Sequence, residues 1–399
     1  MAITKSLSRG EFIALVAALF ATIALSIDAM LPALPQIAAQ LSPDAPNRAQ
    51  LVITSFVFGM GLGTLFTGPL SDSFGRKPVI IAGSVLYILS SIAAYFAQSL
   101  EWLLIARVFM GIGAAGPRTA ATALVRDLFQ GRAMAEVMSF VMMVFMLVPA
   151  VAPLMGQAVM SVADWKAIFI VYIGFSLITT LWLGLRQPET LPPEARRKLN
   201  LGNLIAATRE LFSHRIVVIS ILMQTLTQAA LFATLSSMQG IFEQRFDRAE
   251  SFPLWFTLIA LVSALGNVIN AKTVVRYGMR RLIWLGYMVL VVFTATLVLA
   301  KLLGILPENL AFAMHLIWTI MVFGAMGLQM GNLNALAMEP VGHIAGLAAS
   351  VSSAISTVAS VALAIPVGLA FDGSEIPLML GVLGFNAAAL IVFRFDNGR

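Results

Sequence analysis

The sequence predicts an all-α membrane protein of about 12 transmembrane helices, arranged as two pseudo-symmetric six-helix bundles. Three observations carry this. Of 399 residues, 59% are apolar and only 11% charged, with a mean hydropathy of +0.92. A soluble chain, at about 25% charged, cannot hide that much apolar surface. The apolar stretches each run about 20 residues or more, enough to cross about 30 Å of hydrocarbon as helix, and they lack the alternation in segments of about ten residues that marks a membrane barrel. Finally, a single long polar interval divides the spans six and six.

The spans are placed at about residues 11–34, 49–71, 78–97, 102–124, 134–157, 165–185, 215–240, 252–272, 281–303, 309–331, 344–370 and 376–394. The first follows Lys5 and Arg9 as a signal peptide would, but its length, its embedded Asp28 and the polytopic remainder predict a retained helix. The polar interval 186–214 opens with Pro188, Pro192 and Pro193 and the basic run Arg196-Arg197-Lys198. Within it Leu201, Leu204, Ile205, Leu211 and Phe212 share a helical face, which predicts an amphipathic helix on the inner membrane surface. The domains expected are therefore a six-helix bundle at 1–185, a linker at 186–214 and a second bundle at 215–399.

Lys and Arg in short loops set orientation. With the N-terminus inside, 18 of the 25 basic residues lie on the cytoplasmic side, five outside, and Arg107 and Arg118 within a span. Both termini of a multi-pass protein of the bacterial inner membrane are thus expected in the cytoplasm. The net charge of +6 is spent on these loops, so no nucleic-acid partner is expected. With no cysteine and three scattered histidines, His214, His315 and His343, neither a disulfide nor a metal cluster is expected.

The halves echo each other. The loop after span two reads Gly68-Pro69-Leu70-Ser71-Asp72-Ser73-Phe74-Gly75-Arg76-Lys77, and the loop after span eight ends Tyr277-Gly278-Met279-Arg280-Arg281, with Val275 in the place of Asp72. In the first copy Gly75 permits a tight turn, Asp72 can accept from a helix N-terminus or a basic residue, and Arg76 and Lys77 hold the loop inside. Halving of this kind is a mark of transporters built from repeats.

Charges within hydrocarbon are costly and point to function. Asp28 lies about 17 residues along span one, in its outer half. Arg107 lies about five residues from the outer start of span four, at a comparable depth, so the two are expected to pair. Arg118, close to three turns on, shares the face of Arg107; it either faces the interior or snorkels to the interface. A proton switch at Asp28, ionised beside Arg107 and protonated when the site closes, stands against a static ion pair. Met134, Met138, Met142 and Met146 recur every fourth residue of span five and line either a permissive cavity or the core and the lipid contact surface. Gln224 and Gln228 share a face of span seven and join the candidate cavity. Pro149 and Pro153 bend span five, as a hinge or as a simple kink. Gly59 and Gly63, Gly111 and Gly113, and Gly327 and Gly331 allow close helix approach. No acidic residue is expected deep in spans seven to twelve, and no paired carboxylates or activated nucleophile suggest an enzyme.

Gly68 to Lys77 resembles the signature loop of the major facilitator superfamily, and Arg107-x-x-x-Gly111-x-Gly113 resembles its span-four basic motif. Ser26-Ile27-Asp28-Ala29-Met30-Leu31-Pro32-Ala33-Leu34-Pro35 and Val125-Arg126-Asp127-Leu128-Phe129-Gln130-Gly131-Arg132 resemble the drug–proton antiporters of the bicyclomycin/chloramphenicol-resistance branch. The resemblance implies alternating access by two rocking halves and export of small apolar or amphipathic compounds, such as drugs, against proton entry. Asp28 would couple protons, Arg107 would be its charge partner and Asp72 part of a cytoplasmic latch. Two departures stand out: Val148 precedes Pro149 and Gln157 follows Gly156 where the antiporter motif differs, and Phe20 occupies the place of a second acid on span one in some relatives. The partners expected are an apolar or cationic small molecule, protons and the bilayer, for a chain acting as a monomer with a proton gradient as energy source and no cofactor. A transporter of a specific metabolite on the same scaffold, and more remotely a membrane sensor, are the competing readings.

Overall fold

The computed structural model describes residues 7–196, 199 and 201–395. Fifteen α-helices run in chain order through these residues: α1 (Arg9–Asp28), α2 (Leu34–Leu41), α3 (Leu51–Phe74), α4 (Arg76–Tyr95), α5 (Leu100–Leu128), α6 (Gly131–Met160), α7 (Ala167–Arg186), α8 (Leu201–Ser213), α9 (Arg215–Gly240), α10 (Phe252–Ser263), α11 (Leu265–Tyr277), α12 (Met279–Leu302), α13 (Glu308–Met338), α14 (Ala345–Leu369) and α15 (Ile376–Phe393). Among the described residues no strand occurs.

Eleven helical stretches among the described residues are long and apolar enough to cross a membrane. One of them, Glu308–Leu369, is 62 residues long, about twice a span. It breaks at Val341, whose φ of −121° and ψ of 27° are not helical, so α13 and α14 are two spans and the total is twelve. Span one runs on past its predicted end: α1 stops at Asp28, a short 3-10 turn covers Leu31–Ala33, and α2 continues to Leu41. Pro32 and Pro35 lie at the breaks, each lacking the N–H that an unbroken helix needs.

The chain divides into two compact units, Met1–Ser42 with Ser55–Leu204, and Pro43–Thr54 with Ile205–Arg399. In the first, α1 is buried along most of its length. Phe12, Leu15, Val16, Leu19 and Phe20 pack with Ile80 of α4, Ala120 and Leu124 of α5 and Val137 and Val141 of α6. Phe20 meets Phe145 edge-on at 6.1 Å. Glycine lets α3 and α5 touch through their backbones: a Cβ on Gly59 would lie 1.9 Å from Val108 O, and one on Gly111 2.0 Å from Phe56 O.

The second unit repeats this device. A Cβ on Gly266 would lie 2.0 Å from Gly324 O, and one on Gly327 2.6 Å from Asn267 N, while Gly331 has nothing within 4 Å. The segment 43–54 belongs to this unit: Asn47 Nδ2 donates to Leu369 O and Phe371 O, at 3.1 and 2.6 Å, and Ser237 Oγ donates to Gln50 Oε1 at 3.2 Å.

The polar interval carries the helix α8 that its apolar spacing predicts. Leu211 and Ala207 turn into the protein, while Ile205 and Phe212 are exposed. The side chains of Leu201 and Leu204, and residues Arg197 and Lys198 of the basic run, lie outside the described residues.

Candidate functional site

The first unit gathers four spans around the end of α1. Ser26 lies two residues before that end, so its carbonyl is one of the last four, which have no partner within a helix. Arg107 Nη2 donates to it at 2.9 Å and Tyr172 Oη at 3.4 Å, from α5 and α7. The Ser26 hydroxyl donates to Thr22 O at 2.5 Å and meets the Tyr87 hydroxyl of α4, also at 2.5 Å. Arg107 is wholly buried, with its guanidinium 4.6 Å from the centroid of the Phe56 ring. A cation here answers the negative end of the α1 dipole.

Asp28, the last residue of α1, is 5% exposed, and the described hydrogen bonds and ion pairs do not include it. The direct Asp28–Arg107 ion pair expected from depth alone is therefore not formed. The reason is angular. At about 100° per residue, Asp28 points some 200° away from Ser26 around α1, so a guanidinium seated against Ser26 reaches the helix end and not the acid. Tyr172 and Arg107 thus converge on the same carbonyl, two residues before Asp28. Gly156 of α6 closes the other side: a Cβ there would lie 2.1 Å from Ala29 O.

The second unit keeps part of this arrangement. The Thr227 hydroxyl of α9 meets the Tyr287 hydroxyl of α12 at 2.5 Å, as Ser26 meets Tyr87. The position two residues beyond Thr227 is Ala229, where the first unit has Asp28. In place of Arg107, eight residues into α13, stands His315, buried with neither ring nitrogen hydrogen-bonded and set among Phe242, Phe246 and Trp318.

The signature loop is an ion-paired knot within the first unit. Gly75, at φ 105°, turns the chain from α3 into α4. Arg76 bonds Asp72 at 2.5 Å, Asp127 at 2.9 Å and the Ser71 hydroxyl at 3.0 Å. Asp72 thus accepts from a basic residue, while the N-terminus of α4 is taken by Glu189: the N–H groups of Arg76 and Lys77 each donate to its carboxylate at 3.0 Å. Lys77 Nζ donates to Gly184 O at 2.7 Å. Gly68 precedes Pro69 inside α3. The corresponding Gly278 has φ 80°, while Val275, in the place of Asp72, is 93% exposed.

The other candidates are distributed. Met138, with Met134, packs against the apolar core of the first unit, whereas Met142 and Met146 are exposed. Pro149 and Pro153 lie inside one unbroken α6. Gln228 accepts from the Thr357 hydroxyl at 3.1 Å and so ties α9 to α14; Gln224 is buried with Nε2 unbonded. Arg118 is exposed in mid-helix.

Sequence reasoning missed three groups. Tyr87 and Tyr172 had a signal, as two of only five tyrosines in the chain, both placed inside spans. Glu189 reads as linker. Glu375 reads as a loop residue, yet its side chain is only 3% exposed and pairs with Lys301 and, at 3.2 Å, with Arg245. This buried acid lies just before the last span and not deep within one.

Two bundles of six spans, each with a glycine crossing and a serine or threonine bonded to a tyrosine, define a multi-pass membrane transporter of the repeat type. The sequence profile of the Major Facilitator Superfamily matches residues 14–393, and the chain belongs to that family. It is similar to the bicyclomycin resistance protein homolog of Haemophilus influenzae, 28% identical over 82% of this chain and 81% of that protein. It is equally similar to the multidrug resistance protein MdtL of Shewanella oneidensis, 28% identical over 92% and 90%. Among solved structures, a D-xylose-proton symporter superposes with a TM-score of 0.77 at 16% identity, covering 97% of this chain and 98% of that one. The human organic anion transporter MFSD10 gives 0.65 at 18%, covering 97% and 100%. These two likenesses establish the fold alone.

Proposed function

We propose that this transporter is a proton-coupled exporter of small amphipathic compounds, drugs among them, working by alternating access in a bacterial inner membrane with both termini in the cytoplasm. The observation that carries the reading is Asp28. It is a buried carboxylate at the broken end of α1, with no described ion pair, next to a hub fixed by Arg107, Tyr87 and Tyr172. An ionised carboxylate in such surroundings costs several kcal/mol unless it is paired or hydrated. Its charge therefore depends on whether water or cargo reaches it. Proton entry from outside neutralises Asp28, and arrival of cargo from the inside displaces the proton. The absence of an equivalent acid at Ala229 confines this step to the first unit. The printed names of the bacterial relatives support drugs as cargo.

The test uses inverted membrane vesicles with an acid interior and a panel of dyes and antibiotics. Asp28→Asn is expected to abolish accumulation driven by the pH gradient while the purified protein keeps its melting temperature and monodispersity. Full gradient-driven accumulation by this variant overturns the proposal.

A further inference from the structure

Four large apolar side chains of α5 are exposed: Leu128, at 47%, ends the helix, and the other three, in its first half, are Trp102 at 52%, Ile105 at 51% and Phe109 at 48%. These three mark the face that α5 turns to lipid. Phe109 is nine residues before Arg118, about 180° round the helix, and Trp102 and Ile105 are about 160° and 220° away. Arg118 thus points directly away from the lipid stripe, on the side of Arg107. On this side Ala114, Ala115 and Ala121 are buried, while Arg118 and Thr122, one turn on, are exposed. Arg118 is thus accessible on the face of α5 opposite its apolar stripe. It also lies ten residues short of the end of α5, about 15 Å inside, which is too far for the guanidinium to be a loop charge.

No hydrogen bond or ion pair to the Arg118 side chain occurs among the described residues. The acids of the first unit that are described in ion pairs serve other cations: Glu11 holds Arg186, Glu136 holds Arg9, and Asp72 and Asp127 hold Arg76. Glu189 holds the α4 N-terminus. A permanently charged guanidinium at this depth, accessible and with no described internal anion, takes its counter-charge from what reaches that face of α5. Its planar fork matches a carboxylate or sulfonate in bidentate fashion.

We infer that Arg118 is a cargo-binding residue and that the preferred cargo carries an anionic group, a carboxylate or sulfonate, on an apolar body. This rests on the transporter reading above and narrows its cargo class, away from the cationic compounds that the lone Asp28 suggests; with an anionic cargo the proton leaves Asp28 through hydration from the inside, not through charge repulsion.

The experiment measures binding to the purified full chain in detergent, by thermal shift and by equilibrium dialysis. The probes are matched trios that share one ring system: indole-3-acetate, indole-3-acetamide and tryptamine, with the corresponding acid, amide and amine of naphthalene and of biphenyl. At least one acid is expected to bind more tightly than its amide and amine. In Arg118→Gln that advantage falls about tenfold or more, and in Arg118→Lys part of it returns, while affinity for the amide is unchanged in both. The inference is overturned if no acid binds, if amide or amine matches the acid in the native protein, or if Arg118→Gln keeps the preference. Repeating the assay in chloride and in gluconate separates a small-anion site: stabilisation by chloride that needs Arg118, with no acid bound, also overturns it. Anion recognition is read from Arg118→Gln in binding without a pH gradient, and proton coupling from Asp28→Asn in gradient-driven transport, so the two readings fail separately.

Discussion

Arg107 Nη2 bonds Ser26 O at 2.9 Å, two residues short of the acid whose partner it was expected to be. The positive charge thus sits at the end of α1, and it positions the acid without pairing with it. Arg107→Lys keeps the charge but loses the planar fork and part of the reach. The expected outcome is a folded protein whose gradient-driven transport falls by roughly tenfold, equivalent to about 1.4 kcal/mol. Transport rates in proteoliposomes, normalised to folded protein by size exclusion, check this; an unchanged rate removes Arg107 from the coupling machinery.

The two serine/threonine–tyrosine pairs offer an internal control. Tyr87→Phe and Tyr287→Phe each delete the buried hydroxyl contact to Ser26 or Thr227, and Tyr287→Phe also the bond to Met223 O at 3.2 Å, while Ser26 and Thr227 keep their bonds to Thr22 O and Met223 O. Each is expected to lower stability by about 1 kcal/mol. Only Tyr87→Phe is expected to alter the pH dependence of transport, because only the first unit has an acid two residues on. Melting temperature and transport measured side by side separate the shared structural role from the functional one.

Glycine crossings set a harder limit. A methyl on Gly59 would meet the backbone of Val108, which has no rotamer to yield, so Gly59→Ala must separate α3 from α5. Overpacking of this kind costs about 1–3 kcal/mol or more. Gly174, with nothing within 4 Å of a built Cβ, is the matched control, and Gly174→Ala is expected to be neutral or slightly stabilising. The folded fraction after extraction is the measurement.

The spans were legible because a 20-residue apolar run has one economical structure in lipid. Gly75 and Gly278 were legible because a turn followed by basic residues needs a residue tolerant of positive φ. What the sequence hid was azimuth. Residues spaced by four advance about 40° per step, so the methionines of α6 rotate about 120° from Met134 to Met146, leaving the core and emerging at the surface. The same neglect of angle paired Arg107 with Asp28 across a correct depth. Tertiary partners also stayed hidden: Glu189 caps α4 from more than a hundred positions away, and nothing local to it distinguishes it from Glu194, which stays exposed.

Glu375 provides the last test. It precedes α15, and its side chain is 3% exposed, a place where burial alone would favour the neutral acid. Burial pushes its pKa up, but Lys301, bonded to it, and its own backbone hydrogen bond more than offset this, leaving it below its usual value of 4.5. A carboxyl whose pKa is lower folded than unfolded stabilises the protein above the unfolded value and loses that contribution as pH falls through the folded one. Glu375→Gln is therefore expected to lower the melting temperature at pH 7, because it leaves Lys301 and Arg245 without their shared buried anion. The gap between native protein and variant is expected to stay constant down to about pH 5.5, then to narrow as pH falls through and below 4.5. Lys301→Met, which leaves the acid with Arg245 alone at 3.2 Å, is expected to be more destabilising at pH 7 than at pH 4, since protonation relieves the under-compensated charge. A gap for Glu375→Gln that does not change with pH between 7 and 4 would mean that this acid is neutral in the fold and that Lys301 finds its anion elsewhere.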